Sequence, residues 1–274
     1  VPQKGMVITM KKRGLSMVLA IAMVVMCLTA LSGCDSDSGN TKTGADTIDS
    51  NNGNAITENS NKTDSREYFM WSGTEITGLT EDGKKQKHIS IPADCTSISA
   101  YAFMENEVME ELSFLGEDTT LNKGSFSQCT ALVRVVLPAK LTEIPESCFF
   151  ANTALESVEM PQSLVTIGEK AFMSCDNLDG LTLGDSLVTI GESAFAISGI
   201  SELELPEGLK EIGKEAFSYC SNLTEIRIPE SVETIGVLLF LRGFGDEPIT
   251  VYVKEGSYAD KELVNDHTIT IEYY

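Results

Sequence analysis

The sequence has two histidines, one tryptophan, and only 20 lysines and arginines against 41 aspartates and glutamates. Each scarcity removes a class of function. A net charge of −21 repels a phosphate backbone, which excludes a nucleic-acid role. His88 and His267 stand toward opposite ends of the repeated region, so they do not form a shared acid–base or metal site. His-Glu-x-x-His, Gly-x-Ser-x-Gly, phosphate-loop and dinucleotide fingerprints are all missing, and the seven cysteines include no Cys-x-x-Cys. These gaps point away from an enzyme and from a bound metal or cofactor. Glu202 and Glu204 share a strand face, but carboxylates so spaced are ordinarily just exposed charge. The acidic surface reads first as a solubility device and second as an attraction for a basic partner.

Hydrophobic residues make up 42% of the chain, enough for a real core. They are unevenly placed. Lys11-Lys12-Arg13 precedes an apolar run from Leu15 to Leu31, too short for a comfortable permanent span. The run ends in Leu31-Ser32-Gly33-Cys34, which resembles the lipobox of bacterial lipoprotein signals. The resemblance implies that the Cys34 thiol takes a diacylglyceryl group and that cleavage makes Cys34 the first mature residue. Small Ser32 and Gly33 would admit the peptidase, and two or more acyl chains anchor stably. The chain is thus expected outside the cytoplasm, held by lipid at the cell surface. Met10 reads as the natural initiator, with residues 1–9 an upstream extension.

Residues 34–66 are almost all small or polar, with Ile48 and Ile56 the only large apolar side chains, and read as a flexible linker. At Tyr68-Phe69-Met70-Trp71 the composition changes, and residues 67–87 read as a cap over the first repeat. A carbohydrate-stacking role for Trp71 is the sharper alternative.

The repeat emerges by counting. Phenylalanines fall at 103, 126, 149, 172, 195, 217 and 240, in steps of 22 or 23. Such regularity means a stacked architecture in which no unit buries its apolar face alone. Pro92, Pro138, Pro161, Pro206 and Pro229 share one phase, and Ile98, Leu121, Ile144, Ile167, Ile190, Ile212 and Ile235 another. Leu203-Glu204-Leu205 reads as a short half-buried strand, and proline ends it for want of an N–H. Gly213 is expected to permit a turn. Three residues after each phenylalanine stands Asn106, Cys129, Asn152, Cys175, Ser198, Cys220 or Gly243, which suits a buried turn bonded to loop backbone. Cys129 and Cys175 lie two repeats apart, roughly 10 Å at strand spacing, so they read as free thiols. Cys95 and Cys148 stand outside this phase.

The pattern Leu-x-x-Ile-x-Ile-Pro-x-x-Leu-x-x-Ile-Gly-x-x-Ala-Phe-x-x-Cys resembles the BspA-like class of leucine-rich repeats, most closely from Leu178 to Phe240. The first three copies depart from it, with Ser99, Lys123 and Pro145 expected in place of glycine. The resemblance implies a leucine-rich-repeat solenoid of about seven repeats over residues 88–245, built of short strands and turns. It also implies a C-terminal cap over 246–274: a strand from Val251, a helix near Ser257–Asn265, and a closing strand over Thr268–Tyr273. Members of the class are surface proteins, and some bind host matrix proteins or other bacteria.

Residues between buried strand positions should form two exposed columns, Ser90 to Tyr252 and His88 to Thr250. Glu202, Glu204, Glu225, Arg227 and Tyr252 are the contact candidates on that face. The expected function is non-catalytic binding of a protein on a host or neighbouring cell, by a monomer held to the membrane through Cys34. An envelope scaffold and a polysaccharide-binding surface are the alternatives; the second is weaker because Tyr252 is the one aromatic in the columns.

Overall fold

The computed structural model describes residues 65–243, 246–266 and 268–274. The expected signal, lipobox, Cys34 and most of the linker lie outside the described residues, as does His267.

The described chain opens with a 3-10 turn at Ser65–Tyr68 and an antiparallel hairpin of β1 (Phe69–Ser72) and β2 (Glu75–Leu79). Trp71 packs edge-on against Phe69, and Phe69 against Phe103, which brings the hairpin against the first ring of the repeat column. The chain then winds through β3 (His88–Ile91), β4 (Ser97–Ile98), β5 (Glu111–Phe114), β6 (Arg134–Val136), β7 (Glu143–Ile144), β8 (Ser157–Glu159), β9 (Thr166–Ile167), β10 (Thr189–Ile190), β11 (Glu211–Ile212), β12 (Glu225–Arg227), β13 (Thr234–Ile235), β14 (Ile249–Val253) and β15 (Ile269–Tyr273). One helix, α1 (Tyr258–Leu263), sits between the last two strands, with the Ser257 hydroxyl accepting from the Asp260 N–H as its cap.

These strands stack into two parallel ladders, one on each of two sides of a solenoid. The first ladder orders β3-β5-β6-β8 and, after a break, β12-β14-β15. The second orders β7-β9-β10-β11-β13, while β4 pairs parallel with β2 and makes a single bridge to Thr120 in the following coil. Short strands follow from the unit itself: a turn of 22 or 23 residues around a narrow core leaves two to five residues per side. Each in-phase proline ends a first-ladder segment and accepts a turn bond three residues on, as in Leu141 N–H to Pro138 O and Leu209 N–H to Pro206 O.

The core is a column. From Phe126 to Phe240 the rings stack at centroid spacings of 5.4–5.9 Å with planes within 15° of parallel. All seven repeat phenylalanines are buried. Each contributes roughly 1.5–3 kcal/mol by leaving water, with about 0.5–1.5 kcal/mol more per aromatic pair.

The phenylalanine corner forms a third set of rungs. In each coil from that of Phe103 to that of Phe217, the residues two before the ring, at the ring, and two after it donate their N–H groups to the next coil. Lys170, Phe172 and Ser174 bond to the carbonyls of Glu192, Ala194 and Ala196 at 2.8–2.9 Å. The flanking residues hold left-handed backbone, and twelve of these are not glycine, among them Tyr101, Lys170, Ser174, Ile197 and Leu238 at φ of 55–61°. That conformation costs about 1–2 kcal/mol for a residue with a Cβ, and the inter-coil bonds offset it.

Four expectations change. Gly213 does not permit a turn through left-handed backbone. A Cβ there would strike the Glu192 nitrogen and Gly191 carbon, and at Gly191 one would meet the Glu169 nitrogen at 2.7 Å, so glycine at this phase is demanded by close coil contact. The second repeat places Asn122, not Lys123, in that phase, and its Nδ2 donates to Ile98 O at 2.7 Å. Cys95 and Cys148 are in phase after all, each in another column. Cys95 takes the leucine place of Leu141 and Leu164, with the same N–H bond to the preceding proline carbonyl. Cys148 takes the alanine place of Ala171 and Ala194, beside the next ring. The fourth, at Leu203-Glu204-Leu205, concerns the exposed face.

Candidate functional site

Along the first ladder, inward residues are buried and their outward neighbours stand in columns. The register sets His88 beside Glu111, Arg134 and Ser157, and Ser90 beside Ser113. Beyond the break, Glu225 stands beside Thr250, and Glu204 beside Arg227, Tyr252 and Glu272. The expected columns therefore form at both ends of the face.

They are interrupted in the middle. Leu181, Leu183, Leu203 and Leu205 are buried as an alternating strand requires. Yet neither segment is a strand, and Glu204 keeps only an isolated bridge to Arg227. The cause is local. Gly180 sits at φ +63°, outside strand geometry, and the Asp179 carboxylate takes the N–H and hydroxyl of Ser201 at 2.9–3.0 Å. Burial pushes the Asp179 carboxyl up, and hydrogen bonds from Ser201, Gly180 and Glu202 outweigh it, so its pKa lies below the usual carboxylate value.

Of the five candidates, Glu202, Glu204, Glu225 and Arg227 are exposed and Tyr252 is half-buried. Arg227 is already engaged: it pairs with Glu207 and its guanidinium lies 3.9 Å from the ring centre of Tyr274. The Tyr252 hydroxyl reaches Glu225 at 3.5 Å, a marginal bond, and the carboxylate pushes its pKa up. The Glu202 and Glu204 side chains have no ion-pair or hydrogen-bond partner among the described residues, which leaves them as the unspent charges of the set. Sequence reasoning missed Glu207 and Tyr274, because nothing in the repeat pattern marks residues that reach across coils.

The other half of the face is balanced. His88 meets Glu111 at 3.0 Å, Arg134 pairs with Glu159, and a shallow depression of about 180 Å³ lies among His88, Ser90, Glu111, Ser113, Arg134 and Val136. Such exposed pairs contribute little to stability, about 0–1 kcal/mol each. Trp71 is poorly placed as a sugar platform: Arg66 covers its ring at 4.0 Å and its indole N–H donates to Arg66 O.

The five cysteines among the described residues belong to the core. Cys129, Cys175 and Cys220 donate S–H to the carbonyls of Phe103, Phe149 and Phe195 in the preceding coil, at 3.1–3.2 Å. Asn152 serves the same turn by accepting the Cys129 N–H at 2.7 Å. Burial pushes the Cys129 and Cys148 thiols up to about 12, far from thiolate chemistry at neutral pH. No group of three or more potential metal ligands occurs among the described residues, and no described helix is long and apolar enough to cross a membrane.

A family model described as BspA type leucine rich repeat region matches in six copies over residues 81–166 and 149–243. No curated protein matches the chain. Among solved structures, a leucine-rich repeat protein from Bacteroides ovatus ATCC 8483 is 24% identical over 69% of this chain and 66% of its own, with a TM-score of 0.34. A leucine rich cell surface protein from Faecalibacterium prausnitzii A2-165 is 18% identical over 68% of this chain and 56% of its own, at 0.47. The T. pallidum leucine rich repeat protein is 24% identical over 69% of this chain and 84% of its own, at 0.41. The chain thus spans less than two thirds of the length of the first two.

Proposed function

Because the chain belongs to the BspA type leucine-rich-repeat family, we propose that it is a non-catalytic cell-surface lipoprotein whose solenoid binds a protein on a host or neighbouring cell. The observation that carries the reading is the exposed face of the first ladder. Stacked coils hold outward side chains at fixed spacing on a rigid support, and a surface of this kind binds extended protein epitopes without reorganising. The unpaired Glu202 and Glu204 beside Glu225 suit a partner that offers lysine or arginine there. Nothing in this face prepares a nucleophile, and the thiols among the described residues are buried and protonated.

The anchoring part of the proposal rests on Leu31-Ser32-Gly33-Cys34. Intact-mass measurement on detergent-extracted protein from a bacterial host tests it. The expected mass starts at Cys34 and carries diacylglyceryl, and Cys34→Ala abolishes that species; an unmodified chain from the unaltered sequence refutes it. Binding is tested with immobilised, purified host matrix proteins beside the producing cell's own envelope fraction. Retention on a matrix protein supports the adhesin role, and retention on envelope alone replaces it with a scaffold.

A further inference from the structure

We propose that the open edge of β15 is an interface for a second copy of this chain, paired strand to strand about a two-fold axis at Ile271. Among the described residues the first ladder ends at β15, which is bonded only to β14. The direction of its remaining bonds can be read from the coils. Outward residues turn their N–H groups to the preceding coil, as Tyr274 does to Val253 O, and inward residues turn theirs to the next, as Ile228 does to Tyr252 O. The N–H and C=O groups of Ile269, Ile271 and Tyr273 therefore face away from β14, with no partner among the described residues.

An unpaired row of this kind is a template for another strand, and proteins ordinarily blunt it with lysine, proline, a bulge or a covering element. Ile-Thr-Ile-Glu-Tyr carries neither lysine nor proline, and its register with β14 runs unbroken over five residues. The end of the core beside it is also thinly covered. Ile269 and Ile271 are only half-buried, while Val264 and Tyr273 are each 58% exposed.

The sequence of the strand selects its own copy as the occupant. In an antiparallel pair centred on Ile271, Ile271 faces its counterpart, Ile269 faces Tyr273, and Thr270 faces Glu272. The three residues with unpaired backbone groups then fall at hydrogen-bonded positions, which is the geometry an antiparallel ladder requires. Glu272 meets threonine rather than another glutamate, so the register avoids a like-charge pair. The contact is isologous and closes as a dimer. This departs from the monomer expected from sequence, and it is independent of which ligand the exposed face takes.

Sedimentation equilibrium on the full chain in a density-matched detergent tests the proposal. The expected species is a dimer that tightens as salt screens the two acidic copies. Ile271→Pro removes an N–H that β14 does not use and should give a monomer with an unchanged far-ultraviolet spectrum. Thr270→Lys places a lysine opposite Glu272 twice and should tighten the dimer roughly threefold to tenfold. A wild-type chain that stays monomeric at the highest concentration reached overturns the proposal. So does a dimer indifferent to both substitutions, which would place the contact elsewhere.

Discussion

At the scale of single residues, the repeat is held by positions that break ordinary preferences. Left-handed backbone at tyrosine, lysine, serine and isoleucine is tolerated because each such N–H closes a bond to the next coil. Ser174 combines this conformation with a buried hydroxyl that has no hydrogen-bond partner among the described residues. Ser174→Gly removes both burdens at the cost of a looser unfolded chain, and should stabilise by about 1 kcal/mol. Thermal unfolding should show a midpoint higher by roughly 2–4 °C; an unchanged or lower midpoint would mean that the strain is not there. The buried thiols make a second residue-scale prediction. Their folded pKa values are raised, from an ordinary 9.0 to about 12 for Cys129 and Cys148, so their contribution is intact below pH 9. It is lost as pH climbs from 9 toward 12, by about 1.4 kcal/mol per pH unit for each thiol. Urea titrations across that range should show the decline, and Cys148→Ala should make it shallower by one thiol's share, about 1.4 kcal/mol per pH unit. The phenylalanine phase was plain in the sequence, but the left-handed flanks were not, because Gly124 alone among them is the glycine that usually marks such backbone.

At the scale of elements, counting located the coils and the physics of neighbouring coils decided which became strands. The tail shows how far the family resemblance reaches: strand, helix and closing strand all stand near the bounds it implied, with Ser257 as the helix cap. Leu203-Glu204-Leu205 shows where it stops. Its alternation correctly named the buried leucines, yet pairing depends on the preceding coil, where Gly180 and Asp179 divert the backbone. No backbone hydrogen bond of Leu181, Thr182 or Leu183 is found among the described residues. Amide exchange followed by mass spectrometry should therefore be fastest, within the first ladder, over residues 181–183, and at least tenfold slower in β6 and β8. Equal protection across the three segments would show that the ladder is continuous in solution.

At the scale of the whole described unit, the repeat period foretold the leucine-rich-repeat solenoid. What the sequence could not show is which outward residues remain available. The period sets Arg227 on the face, but only three dimensions reveal that Glu207 and Tyr274 already hold it. The candidate face thus narrows to Glu202, Glu204 and Glu225, with Tyr252 beside them. The same logic separates the two sides of the solenoid, since Thr189, Glu211 and Thr234 line the opposite ladder at an equal depth of exposure or nearly so. The most direct test is surface plasmon resonance against a purified host matrix protein that retains the chain. The wild type should be compared with Glu202→Ala/Glu204→Ala/Glu225→Ala and with Thr189→Ala/Glu211→Ala/Thr234→Ala. The account predicts at least a tenfold loss of affinity, steeper at low salt, for the first variant and none for the second. Equal affinity in all three proteins would contradict it and move the binding surface off the first ladder.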